Sequence, residues 1–333
     1  MHIRDGILGP EVCIMAGAIS IGAIAYSLRQ LRTDLQDRAV PLTGMMAAIV
    51  FAGQMVNFPL LGLPVSGHLL GGALAAVLLG PWAGCLAISM VLIVQAVLFS
   101  DGGLMSLGAN ILNMGVVGAW GGYAVYSTTK RALGKSPGAT IASAMVAAWL
   151  SVLAAAALFC GEFLISARAA GVDPRGLLAL MVMYHAFIGV GEAMITGGIL
   201  SFVLARRADL IPSLTSAGPM KTVGGFVATG MVVALAVAAI LAPFKSEHPD
   251  GLDAVSQEMG FASLETERPP LVLDDYAIPV PEPLSKSVPW PGLAVSLAGI
   301  LGTIVVFVSA VALAAATRRA TSTVTIADGS HGG

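Results

Sequence analysis

Apolar residues along this chain gather into runs of about 18 to 25, the length a helix needs to cross roughly 30 Å of hydrocarbon. Short polar clusters separate the runs. A transmembrane barrel would instead alternate apolar and polar positions over about ten residues per strand. The pattern predicts helices over 8–28, 40–58, 69–79, 82–99, 104–126, 140–167, 177–205, 223–241 and 293–315, nine in all. The third, of about eleven residues, is too short to span alone. It is either re-entrant or a span lengthened by the Gly67-His68 turn on one side and Gly80-Pro81 on the other.

Basic residues choose between these readings, because cytoplasmic loops are enriched in them. With the amino terminus outside, the inner segments hold Arg29, Arg32, Arg38, Lys130, Arg131, Lys135, Arg206, Arg207, Lys221, Arg318 and Arg319. The outer segments hold Arg4, Arg168, Arg175, Lys245, Arg268 and Lys286, so eleven face six. A third segment that returned to its own side would invert every later loop and turn the basic clusters outward. The reading is therefore an all-α polytopic membrane protein of about nine transmembrane helices, seven plus two, with its amino terminus outside and its carboxyl terminus cytoplasmic.

Composition agrees: 56% of the 333 residues are apolar and 11% charged, with a mean hydropathy of +0.87, which excludes a soluble globular class. The net charge of −2, with no basic stripe, excludes nucleic-acid binding. Cys13, Cys85 and Cys160 lie in apolar runs without CxxC spacing and read as buried small hydrophobes. The start, Met1-His2-Ile3-Arg4-Asp5-Gly6, lacks the basic region of a cleavable signal, so the mature chain is expected to begin at Met1. Small residues such as Gly71, Gly72, Ala73, Gly115 and Gly118 are expected to let helices approach closely. Near Pro243 the composition turns to Pro, Glu, Asp and Ser as far as Trp290. The organisation read from this is a body over 1–222, a two-helix part over 223–316 with a solvated outer loop over 243–290, and a cytoplasmic tail over 317–333.

Two of the five histidines stand where a metal site needs them. An amino terminus followed directly by His2 offers the Met1 amine, the His2 amide once deprotonated and the His2 ring. The nearer ring nitrogen closes a five- and a six-membered chelate ring and leaves one place open in a planar four-nitrogen array. Such coordination suits Ni(II) and Cu(II) better than tetrahedral zinc. The plain alternative is an exposed terminal histidine. His68 closes a Pro/Gly-punctuated outer loop that begins at Asn57 and includes Ser66. It is placed either to supply the fourth nitrogen or to cap its own loop. His185 and Glu192 lie seven apart on one helix stripe, as a proton or metal relay or as a buried polar lock. Glu162, Asn110 and Asn113 read the same way; His248 and His331 receive no role.

Several motifs together resemble the CbiM/NikM substrate-binding components of energy-coupling-factor cobalt and nickel importers. They are Met1-His2-Ile3 with Asp5-Gly6-Ile7-Leu8; Ser66-Gly67-His68-Leu69-Leu70-Gly71-Gly72; Leu79-Gly80-Pro81-Trp82-Ala83; Gln95 with Leu98-Phe99-Ser100-Asp101-Gly102-Gly103; Gly108-Ala109-Asn110 with Asn113-Met114; and His185 with Ile188-Gly189 and Gly191-Glu192. This likeness covers about residues 1–207. Pro249-Asp250-Gly251-Leu252, then Gly260-Phe261-Ala262 and a final span, resemble the small CbiN/NikN partner, here fused in the same chain.

The resemblance implies a metal held by Met1, His2 and His68; Asn57, Ser66, His185 and Glu192 are the outer-shell or pathway candidates. The implied cargo is Ni2+ or Co2+ with no permanently bound cofactor, and the implied location is the inner (plasma) membrane. Implied partners are a CbiQ/NikQ-like coupling membrane protein and a CbiO/NikO-like cytoplasmic ATPase. Arg4 departs from the family's pattern, and a positive charge there opposes capture unless it points away. The chain has no Gly-x-x-x-x-Gly-Lys-Ser/Thr, so energy must come from partners. Rival readings are an intramembrane metalloenzyme, opposed by the absence of His-Glu-x-x-His, and a self-sufficient secondary transporter or channel, opposed by the lack of an evident internal repeat. The outer loop's Glu247, Asp250, Asp253, Glu258, Glu265 and Glu267 are expected to concentrate cations. The loop itself is expected to touch the metal-binding terminus, either regulating it or serving as a tether.

Overall fold

Hydropathy fixes where helices can form, and capping residues fix where they start. In the computed structural model, which describes residues 1–34, 39–60, 62–166, 168–169, 171–211, 222–266, 273, 276 and 292–329, every predicted segment falls on helix. The elements are α1 (Pro10–Asp34), α2 (Ala39–Gln54), a two-residue hairpin of β1 (Phe58–Pro59) and β2 (Ser66–Gly67), α3 (Gly72–Leu79) and α4 (Pro81–Leu98). Then α5 (Leu107–Asn110) runs through a π-helical stretch, Ile111–Gly121, into α6 (Gly122–Leu133). After α7 (Pro137–Ile165), α8 (Pro174–Arg207) and α9 (Gly224–Ala236) come a short α10 (Gly251–Glu258) and the closing α11 (Leu293–Gly329). Helices α7 and α8 start three residues earlier than apolarity suggests. Ser136 accepts from Ala139 N ahead of Pro137, and Asp173 accepts from Gly176 N ahead of Pro174, which is the N-cap with proline at the first helical position.

Six of the described helices are long and apolar enough to cross a bilayer: Pro10–Leu31, Pro81–Leu98, Pro137–Ile165, Pro174–Leu210, Gly224–Phe244 and Leu293–Arg318. The chain is a multi-pass membrane protein. The other three predicted segments differ in kind. α2 is apolar but 16 residues long, the fifth is divided by its π-helical stretch, and α3 has 8 residues, a rise of about 12 Å.

Residues 69–71, predicted as helix, are not helical. This buried backbone is held by side chains instead: Leu70 N and Gly71 N donate to the two oxygens of Glu192, at 2.6 and 2.8 Å, and Gln54 Nε2 donates to Leu70 O at 3.0 Å. Irregular backbone inside a membrane bundle is tolerated only when protein partners satisfy it. α3 then packs closely on the π-helical stretch, where a Cβ on Gly72 would lie 2.7 Å from the Gly118 carbonyl carbon. Glu192→Ala is expected to strand two buried N–H groups at about 1–3 kcal/mol each and to lower the thermal unfolding temperature in detergent. Glu192→Gln, which keeps one acceptor, is expected to lose about half as much.

The loop read as solvated is, in its described part, docked on the body. Leu252, Val255 and Phe261 are buried, and the Phe261 ring lies 4.5 Å from that of Phe163. The hydrophobic spacing of an eight-residue helix is too short to register against the polar residues around it, which is why α10 escapes a hydropathy reading. α11 also continues past residue 315 to Gly329. Of the loop's acidic residues, Glu267 lies outside the described residues.

Candidate metal centre

The first nine residues form a non-helical strap ahead of α1, held among the ends of neighbouring helices. Asn110 clamps Ile3 at two points, accepting from Ile3 N at 2.8 Å and donating to Ile3 O at 3.0 Å. The Asp5 carboxylate accepts from Leu104 N, Met105 N and Ser106 N at 3.1, 2.8 and 3.2 Å. With Ile3 fully buried, Met1 and His2 are carried inward and are 3% and 7% exposed. His2 is therefore not the exposed terminal residue of the plain alternative.

Their ring and amine atoms meet His68. The Met1 amine lies 2.5 Å from His68 Nε2, and the His2 and His68 rings lie 5.0 Å apart and within 22° of parallel. His68 Nδ1 lies 3.0 Å from Leu69 O; a carbonyl only accepts, so Nδ1 carries the proton and the Nε2 lone pair faces the amine. Binding one ring nitrogen to a carbonyl in this way orients a metal-ligating histidine. On the other side, His2 Nε2 meets Gln95 Oε1 at 3.1 Å and His2 Nδ1 meets Asp101 Oδ1 at 3.3 Å. Burial, outweighing Asp101, pulls the His2 ring down to about 4, so it is neutral at pH 7. With its one proton directed at Gln95, the Nδ1 lone pair faces a carboxylate. That juxtaposition favours a cation beside both.

The second half of the chain covers this cluster. Asp250 Oδ2 takes the Met1 amine at 2.7 Å and lies 3.7 Å from His68 Nε2. Burial alone would raise the Asp250 carboxyl, but the Met1 amine beside it holds it well below the usual carboxylate range. Ser66 fastens the covering segment, its N donating to Pro249 O and its Oγ to His248 O, both at 2.8 Å. Gly251 lies so close to α8 that a Cβ there would approach Ile188 Cδ1 to 2.7 Å and His185 Cε1 to 2.9 Å. Only glycine fits that seat. Behind Asp101, the Tyr276 hydroxyl donates to its Oδ2 at 2.5 Å and accepts from Gln95 Nε2 at 2.9 Å.

Met1, His2 and His68 are thus brought together. Arg4 points away, 53% exposed and paired with Glu265 at 2.7 Å and Asp253 at 3.7 Å. His185 borders the same tightly closed gap as Met1, His68 and Asp250. Its Nδ1 lies 2.8 Å from Met181 O while its buried Nε2 has no hydrogen-bond partner. Asn57 takes part through its carbonyl, which accepts from Ser246 N at 2.8 Å, and Glu192 caps the descending backbone as described. Asn113 Nδ2 donates to Glu162 at 2.8 Å as a buried lock. Sequence reasoning named no site role for Gln95 or Asp101, read Asn110 as a relay or a buried polar lock, and gave Asp250 only a diffuse role. The first three stand inside the quoted motifs, and their grouping there was the available signal. Among the described residues no group of three His, Cys, Asp or Glu forms a metal cage; here one of the nitrogens gathered beside His68 belongs to the chain terminus.

Comparison with known proteins places the chain. Residues 2–210 match the family CbiM, described as a cobalt uptake substrate-specific transmembrane region, and residues 224–319 match the PDGLE domain. An Archaeoglobus fulgidus protein provisionally named a fused nickel transport protein, NikMN, is 33% identical over 94% of this chain and 98% of its own length. The fused nickel transport protein NikMN of Rhodobacter capsulatus is 33% identical over 79% of each chain. A crystal structure of a truncated transition metal transporter superposes with a TM-score of 0.55 and 26% identity, covering 62% of this chain and 99% of that one. The relatives are transport proteins, which removes the intramembrane-enzyme reading. The chain belongs to the CbiM family of nickel and cobalt transport proteins, in the form that carries a PDGLE domain on the same polypeptide.

Proposed function

We propose that this chain captures Ni2+ on the outer face of the membrane, as the metal-binding component of an energy-coupling-factor importer. Its ligands are the Met1 amine, the deprotonated His2 amide, His2 Nδ1 and His68 Nε2. One observation carries the reading: a primary amine stands 2.5 Å from the lone pair of His68 Nε2, 67 residues away in sequence. Two nitrogens cis to each other at about 2.0 Å from one ion lie about 2.8 Å apart. The pair matches one edge of a planar array, and the two chelate rings of Met1 and His2 supply the rest. Planar nitrogen ligation favours nickel over cobalt, and Arg4, neutralised by two carboxylates, does not oppose it. His185, whose buried Nε2 has no hydrogen-bond partner beside this cluster, is the next donor inward.

Nine crossings with the start outside and the tail inside fit the placement of Lys and Arg. A CbiQ/NikQ-like coupling protein and a CbiO/NikO-like ATPase would supply the energy that this chain, lacking a phosphate-binding loop, does not. The test is metal analysis of purified protein after exposure to equal nickel and cobalt, with His68→Ala beside it. One nickel per chain is expected in the native protein, and a weaker three-nitrogen site in the variant. Cobalt in excess would overturn the choice of metal, and full affinity in His68→Ala by equilibrium dialysis would overturn the site.

A further inference from the structure

The geometry points to a metal centre built jointly by the two family domains, in which Asp250 of the PDGLE part holds the Met1 amine in place as the positioning residue. This inference rests on the ligand set proposed above and adds a residue outside it. The two oxygens of Asp250 do separate jobs. Oδ1 caps α10, accepting from Leu252 N at 2.8 Å and Asp253 N at 2.9 Å. Oδ2 turns the other way and accepts from the Met1 amine at 2.7 Å.

The carboxylate itself cannot drift. Its backbone lies against Ser66 in a parallel bridge, two residues before His68, and Gly251 is wedged between Ile188 and His185. The chain terminus, which elsewhere is among the most mobile parts of a protein, is therefore met at its last atom by a fixed acceptor beside the His68 lone pair. A metal-bound amine keeps two N–H groups, so the same contact persists when the ion is bound. Ni2+ held by one deprotonated amide also carries one net positive charge, which Asp250 balances in a site shielded from water. The distance of 3.7 Å from Oδ2 to His68 Nε2 is longer than the edge shared by two ligands of one ion, which makes Asp250 a partner of the amine and not of the metal.

Asp250→Asn separates the two jobs. Asparagine caps a helix about as well as aspartate, so α10 keeps its start, but its remaining NH2 cannot accept from the amine. Full-length protein in detergent is titrated with NiCl2 by equilibrium dialysis. The expected result is an affinity about 10- to 100-fold lower, as for loss of an outer-shell partner. Amide exchange at Leu252 to Val255 stays as slow as in the native protein, and the X-ray absorption spectrum at saturating nickel is unchanged. Native affinity in Asp250→Asn overturns the proposal. So does loss of an oxygen neighbour from the saturated nickel, which would make Asp250 a ligand, or an affinity loss accompanied by fast exchange at α10, which would trace it to the covering helix. His68→Ala, run in parallel, reports on the ligand set itself: native affinity there fails the site, whatever Asp250 does.

Discussion

One residue added ahead of Met1 is expected to abolish nickel binding, with the protein still folded and inserted. The added peptide bond converts the Met1 amine into an amide, whose nitrogen could keep the five-membered ring only by losing a second amide proton, and it moves the new amine one residue outward, away from His68. The structure leaves little room to compensate. Ile3 is clamped on both its N and O by Asn110, so His2 cannot slide outward to present the new terminus, and the amine's place is walled by His68, His185, Ile188 and Asp250. The loss should exceed the about 10- to 100-fold that removal of an outer-shell partner costs. His2→Ala, which removes the other arm of the chelate, should match it. Equilibrium dialysis with nickel, and N-terminal mass spectrometry to verify the extension, check the result. Native affinity in an extended protein that still depends on His68 would mean that the amine is not a ligand.

Helix positions were legible because a bilayer demands long apolar runs, and each of the nine segments read that way overlaps a helix. Details that depend on polar partners were not legible. Residues 69–71 look like the start of a helix by hydropathy, yet Glu192, 122 residues from Leu70, satisfies their N–H groups in another conformation. That Met1, His2 and His68 lie together could be anticipated, because chelate-ring size follows from adjacency in sequence and His68 closes a loop that could reach the terminus. What surrounds them could not. Gln95, Asp101 and Asn110 act through contacts 93 to 107 residues distant from the strap, and no spacing rule connects them to it. Asp250 was read as one charge in a diffuse acidic field, whereas its effect is local: one oxygen for α10 and one for the amine, 249 residues away. Arg4 looked adverse by sequence, because its ion pairs with Asp253 and Glu265 arise only once the loop folds back.

Replacing residues 246 to 286 with a flexible linker of equal span is expected to cost more metal uptake in cells than Asp250→Asn alone. The linker removes Asp250, and with it the fastening of the terminal strap and the loop that carries His68. Ser66 loses its partners at His248 and Pro249, Arg4 loses both carboxylates, Asp5 O loses Thr266 N, and Asp101 with Gln95 loses Tyr276. Arg4 would then stand as an uncompensated positive charge two residues from His2, the adverse arrangement that its sequence position suggests. Burial of Leu252, Val255 and Phe261 would also be lost, at roughly 1.5–3 kcal/mol for each large apolar side chain, so the strap should open more often even where the body stays folded. Both effects weaken capture, and tethering alone would produce neither. The measurement is nickel accumulation in cells at matched membrane levels of the two proteins, with added Arg4→Ala as a second arm. Recovery of part of the lost uptake by Arg4→Ala would assign that part to the unpaired charge. Uptake unchanged by the linker would reduce the loop to a connector between helices α9 and α11.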